Sequence, residues 1–144
     1  MNVRIAVSGD APRLAQLSGQ LGYPAEAAQV RERLERLAGR PDSVVYVAAA
    51  ASGDVAGWIH AISTELREVG PRGEIVGLVV DEHHRGQGVG KRLVLAAERW
   101  AASRGLSEIA VRSNMTRDGS HPFYRHIGFE HVKTQHQYRK RLAP

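Results

Sequence analysis

Residues 77–100 read GLVVDEHHRGQGVGKRLVLAAERW. An apolar stretch passes through a glycine-rich turn into a helical pattern within two dozen residues, and the rest of the chain arranges itself around that junction. Val89, Leu93, Ala96 and Trp100 recur at helical spacing and form one buried stripe. Upstream, EIVGLVV (74–80) is apolar on both faces and reads as a central strand. Gly77 inside it marks a bulge or a close approach by a ligand backbone. A helix that starts directly after a tight loop presents unpaired N–H groups at its first turn. Its dipole adds positive partial charge there, so an anion is favoured. Gly86, Gly88 and Gly90 carry no Cβ, which lets an anion approach the main chain. Arg85 and Lys91 contribute full charges, and Gln87 and Val89 complete the loop.

Two better-known phosphate loops do not fit. A Walker loop needs Gly, four residues, then Gly-Lys-Ser/Thr. Arg85 stands where its first glycine belongs, and Arg92 stands in place of the magnesium-binding hydroxyl. The dinucleotide fingerprint matches at Gly86 and Gly88 but meets Lys91 at its third glycine. A glycine-rich turn without any ligand remains open on this stretch alone.

Outward from the junction, VRIAV (3–7) reads as a strand. A helix follows with Asp10 at its N-cap and Pro12 in its first turn. A second helix carries Val30, Leu34 and Leu37 on one stripe and closes at Gly39 and Pro41. SVVYVAAA (43–50) and VAGWIHAIST (55–64) form a hairpin across ASGD, and REVGPRG (67–73) reads as a loop. After the long helix come a strand at EIAVRS (108–113), a short helix at HPFYRHI (121–127), and one or two strands in EHVKTQHQYRKRL (130–142). The order β-α-α-β-β-β-α-β-α-β predicts a mixed α/β fold in a single domain, residues 1–144.

The chain has 144 residues, 42% of them hydrophobic and 24% charged, which suits one soluble globular domain. No apolar run approaches the roughly 20 residues that span a bilayer. The N-terminus lacks the apolar core of a secretory signal, so cytoplasmic residence and no membrane partner are expected. Cysteine is absent, which rules out a protein thiol nucleophile; any working thiol must arrive on a ligand. The net charge of +5 would suit a polyanion. The basic residues are nevertheless interleaved with acids along the chain, and no nucleic-acid partner is expected. Histidines 83, 84, 121, 126, 131 and 136 lack paired helical spacing, and no metal is expected.

With these blocks in view, the chain resembles the GNAT-type N-acetyltransferases. Arg85, Gly88 and Gly90 meet that family's R/Q-x-x-G-x-G/A signature. Phe123-Tyr124 and Gly128-Phe129 meet its aromatic-Tyr then Gly-Phe pattern, and AERWAASRG and IAVRSN fall between in the right order. The resemblance implies a GNAT-like splayed, mostly antiparallel sheet of six to seven strands flanked by about four helices. It implies acetyl-CoA as cofactor, with main-chain groups of Leu78, Val79 and Val80 pairing with the pantetheine arm. Main-chain N–H groups from Arg85 to Lys91 would hold the diphosphate. It further implies direct transfer to a primary amine, on a small molecule or a protein, in a ternary complex, and a homodimer. Tyr124 matches the family's general acid, and the Val79 N–H its oxyanion donor. For the base, Glu74 is chosen over Glu82. Many members carry Asn seven residues before that Tyr, where this chain has Arg117; the pantetheine-bonding role is assigned to nearby Asn114. Tyr23-Pro24, Trp58 and His60 are candidates for the acceptor pocket. The rival from another class is a sensor domain that binds acyl-CoA without turning it over.

Overall fold

In the computed structural model, the described residues are 1–22, 24–66, 70–112, 120–133 and 136–143. Contacts divide the chain into two compact units, Met1–Arg112 and Ser113–Pro144.

The first unit is one open five-stranded sheet in the order β1-β2-β3-β4-β5. Its strands are β1 (Asn2–Ile5), β2 (Ser43–Ala49), β3 (Val55–Leu66), β4 (Gly70–Val80) and β5 (Ile109–Val111). The first three pairings are antiparallel and β4–β5 is parallel. That reversal follows from helix α3 (Val89–Ser103), which carries the chain back along the sheet before β5 begins. Helices α1 (Ala11–Gln20) and α2 (Ala27–Leu37) cover one face. There Leu14, Leu17, Val30 and Leu34 pack with Val45, Val47 and Val79, and Trp58 flanks them. On the other face α3 buries Val89, Leu93, Ala97 and Trp100. The core stripe therefore passes through Ala97 rather than Ala96, which is only half-buried.

Asp10 stands at the N-cap of α1, and Pro12 lies in the first turn. Its carboxylate, however, does not cap that helix. It accepts two bonds from Arg4, both 2.9 Å, and one from the Val7 N–H at 2.8 Å, tying β1 to the turn before α1. β4 is longer than the sequence suggests. Gly70–Gly73, expected as loop, pair in register with Leu66–Ser63 of β3. Gly73 is there for packing rather than for a turn: a Cβ on it would lie 3.2 Å from the Ala101 side chain and 3.3 Å from that of Ile109.

The second unit contains α4 (Ser120–His126), closed at Gly128 with φ +99°. The Tyr124 ring meets Phe123 and Phe129 edge-on, with centroids 5.1 and 5.5 Å apart. The architecture is the mixed, mostly antiparallel α/β sheet expected, with four α-helices and, among the described residues, five strands where six or seven were expected. The difference lies in 130–142, where no strand forms among the described residues. Val132, Tyr138 and Leu142 are 83%, 91% and 85% exposed there.

Candidate functional site

β5 is three residues long and pairs only with Gly73–Ile75. Immediately beyond, the β3–β4 register slips: His60 faces Gly77, while Ala61 faces Ile75. Val76 is thus an extra residue, a bulge that bends β4 where β5 stops. From Val76 to Val80, β4 has β3 on one side and no strand on the other among the described residues. Alternate residues of that stretch aim N–H and C=O into the opening, a built edge on which an extended chain can lie. Leu78, Val79 and Val80 stand opposite Ile59, Trp58 and Gly57 along it. The Val80 carbonyl also accepts a long bond from Arg85 Nε, 3.3 Å.

The opening leads directly to the glycine loop. Gly86 and Gly88 both adopt left-handed φ, +78° and +80°. Nothing lies within 4 Å of where a Cβ would stand on either. Gly88 is the N-cap of α3 and offers no side chain to its first turn. The helix's first bond is donated by the Arg92 N–H to the Gly88 carbonyl at 3.1 Å. The N–H groups of Val89, Gly90 and Lys91 therefore have no helical acceptor. Arg85, Gln87 and Lys91 are exposed around this rim, while Val89 and Gly90 are buried beneath it. A run of main-chain donors without helical acceptors at a helix start fits a diphosphate. The unpaired β4 edge fits the amide-bearing arm that follows a diphosphate in coenzyme A.

On the α1/α2 face, Trp58, His60, Gly77 and Glu74 are near neighbours in the β3–β4 register. Gly77 is required by packing: a Cβ there would lie 2.7 and 2.8 Å from the Trp58 ring. Glu74 is 12% exposed and pairs loosely with Arg112, Nε to Oε1 3.5 Å. Burial, and secondarily the charge of Arg33, pushes the His60 pKa below its ordinary value. Its Nε2 lies 2.9 Å from Ser43 Oγ. Trp58 and His60 thus face the same side of the sheet as Glu74.

A sequence model described as the acetyltransferase (GNAT) family matches residues 13–129. The chain belongs to the GNAT acetyltransferase family. It is 30% identical, over 99% of its length and 94% of the other protein, to an aminoglycoside N(6')-acetyltransferase type 1 of Stenotrophomonas maltophilia. A second protein of that name from Klebsiella aerogenes is 32% identical over 79% of this chain and 76% of its own. Among solved structures, an aminoglycoside 6'-N-acetyltransferase from Acinetobacter haemolyticus superposes with TM-score 0.84, covering 99% of this chain and all of its own at 21% identity. At that identity the likeness speaks for the fold alone.

The acetyltransferase holds one group of residues that the sequence reading did not single out. Asp81, at the exit of β4, is 4% exposed. Its carboxylate receives Arg13 and Gln20 of α1 as well as His84 of the loop. The bond from Gln20 contributes most to holding its pKa far below the ordinary 3.8. An acid at the end of an apolar strand was the available signal, but its partners lie more than 60 positions away in α1. Glu82, the alternative base, is exposed beside His83 at 3.6 Å. Asn114, Arg117 and Tyr23 lie outside the described residues. Among the described residues, no three His, Asp or Glu side chains converge to hold a metal ion, and no helix is long and apolar enough to cross a membrane.

Proposed function

We propose that the two units form one domain, a cytoplasmic homodimeric N-acetyltransferase that acetylates the 6'-amine of an aminoglycoside or a close amino-sugar relative. The family match, which runs across both units, supports the single domain. The two curated relatives support the acceptor class. The observation that carries the cofactor half is the continuity of the open β4 edge with the left-handed glycines 86 and 88.

Acetyl-CoA supplies the thioester acetyl group. Main-chain N–H groups from Arg85 to Lys91 hold its diphosphate, and Leu78, Val79 and Val80 align its arm along β4, with Asn114 as a further partner. An ammonium of pKa about 10.4 must shed a proton at a cost of roughly 4.6 kcal/mol at pH 7. Glu74 accepts that proton, directly or through water. An N–H on the open side of β4, that of Leu78 or Val80, donates to the carbonyl oxygen as negative charge builds there, a contribution of about 2.7–4 kcal/mol; Val79, which the resemblance suggests for this role, has its N–H turned to β3 opposite Trp58. The Tyr124 hydroxyl gives its proton to the departing sulfur. On reference values near 10 and 8.5 that transfer is uphill by about 2 kcal/mol, so the Tyr124 contribution is the smaller one.

The test is thiol release across a panel of amines. The chain has no cysteine, so a thiol reagent reports only freed coenzyme A. Release is expected with aminoglycosides bearing a 6'-amine and not with 6'-hydroxyl analogues. Tight acetyl-CoA binding with no release for any amine would instead identify a sensor domain.

A further inference from the structure

We infer that Asp81, Gln20 and Arg13 form a clamp that positions the diphosphate loop before its ligand arrives; the inference rests on the loop's proposed role in holding coenzyme A. Asp81 is the hinge between the strand and the loop. Its N–H is bonded to the Ala56 carbonyl at 2.8 Å, and its carbonyl accepts the His84 N–H at 2.8 Å. Its carboxylate is saturated from three sides: Gln20 Nε2 at 3.0 Å, Arg13 Nη2 at 3.1 Å and His84 Nδ1 at 2.9 Å.

Gln20 acts in both directions. Its amide nitrogen donates to Asp81, and its amide oxygen accepts the Glu82 N–H at 3.0 Å. Arg13 also donates its Nε to the Val55 carbonyl at 2.9 Å, so one helix grips β3 and the loop together. Asp81 and the Glu82 N–H are held by side chains of α1, and His84 is tied to Asp81, while 85–88 are exposed. That division suits a binding loop whose donors must be fixed in place yet left free. Ordering a mobile loop on binding subtracts from affinity, and a clamp that orders it beforehand removes the loss. Gln20, Arg13 and Asp81 are therefore positioning residues, acting on acetyl-CoA through the main chain of 82–88.

Gln20→Glu tests this with little change of shape, because it sets a second carboxylate against Asp81 and breaks the amide bridge. The expected result is a rise of about tenfold in the KM and Kd for acetyl-CoA, the scale of one lost charge-assisted hydrogen bond. Turnover at saturating acetyl-CoA should stay within about twofold, because the reacting groups are elsewhere. The double variant Gln20→Glu/Asp81→Asn restores an amide–carboxylate pair in the opposite sense, and should recover affinity to within about threefold of the parent. A general loss of structure would lower turnover and Tm without a KM–kcat split, and the double variant would not repair it. Unchanged affinity in Gln20→Glu, or no recovery in the double variant, overturns the clamp alone. Absence of acetyl-CoA uptake by the parent protein in calorimetry overturns the loop's role and the clamp with it.

Discussion

Gly77→Ala isolates the packing that shapes the bulge. A Cβ at Gly77 would sit 2.7 Å from Cζ3 and 2.8 Å from Cη2 of Trp58. Carbon atoms rest at about 3.5–4.0 Å, so the indole or the strand must yield by about 1 Å. Trp58 has little room to do so, because it packs against the cluster that holds Leu17 and Val79. Overpacking of this kind costs roughly 1–3 kcal/mol. The φ of Gly77 is not in the left-handed region, so Ala brings no backbone strain and recovers about 0.5–1 kcal/mol of chain entropy. The net loss should be about 1–2 kcal/mol, a fall in Tm of roughly 3–8 °C for a chain of this size. The sign should change when the obstacle is removed. In a Trp58→Leu background, Gly77→Ala should be neutral or stabilising by up to about 1 kcal/mol. Urea unfolding followed by far-ultraviolet circular dichroism reads all four proteins without relying on tryptophan emission. Equal destabilisation in both backgrounds would refute the steric account. Gly57 offers a contrast: its added Cβ meets the Val79 carbonyl oxygen at 2.7 Å, and no side-chain truncation relieves a main-chain clash.

Gly88→Val should lose roughly 1–2 kcal/mol to left-handed strain and weaken acetyl-CoA binding more than tenfold in calorimetry; Gly39→Ala, also left-handed at φ +76° and free of neighbours, should lose stability alone. Tyr124→Phe should lower turnover while leaving acetyl-CoA affinity nearly unchanged, and an undiminished kcat would remove the acid role. Arg4 bonding, with help from the Val7 N–H, holds the Asp10 pKa below its ordinary 3.8. A depressed carboxylate stabilises the fold above its unfolded value, and that contribution disappears as pH falls through the folded one. Asp10→Asn should therefore flatten the decline of urea stability from about pH 5 downward, and an unchanged slope would remove Asp10 from the acid response.

The parts of the fold that were legible in sequence are those written in local chemistry. Helix α3 and its loop announce themselves through helical spacing and glycines, and both appear where expected. The β2–β3 hairpin follows from Gly53-Asp54 between two apolar runs. Gly77 signalled the neighbouring bulge, but the Trp58 ring that requires a glycine at 77 is a cross-strand contact that no local pattern records. The Asp81 clamp stayed hidden for the same reason, since α1 reaches it only through the fold. Residues 70–73 were misread because glycine and proline ordinarily punctuate, whereas here they continue a hairpin whose partner strand fixes the register. The one or two strands expected in 130–142 do not form among the described residues, where Val132, Tyr138 and Leu142 stay exposed.

The extra residue at position 76 sets the phase of β4. Arg72 and Glu74 share the α1/α2 face with Gly77 and Val79 only because the count slips by one between them; Leu78 and Val80 turn toward α3 for the same reason. Deleting Val76 would therefore remove the bulge and its bend without inverting the strand: Gly77 would follow Ile75 just as His60 precedes Ala61, and Val79 would stay in its cluster. A β4 of unchanged length that paired without the bulge would instead turn half the strand over, so any reshaping of this enzyme must keep the bulge at 76 and the glycines at 73 and 77 that fit against Ala101 and Trp58.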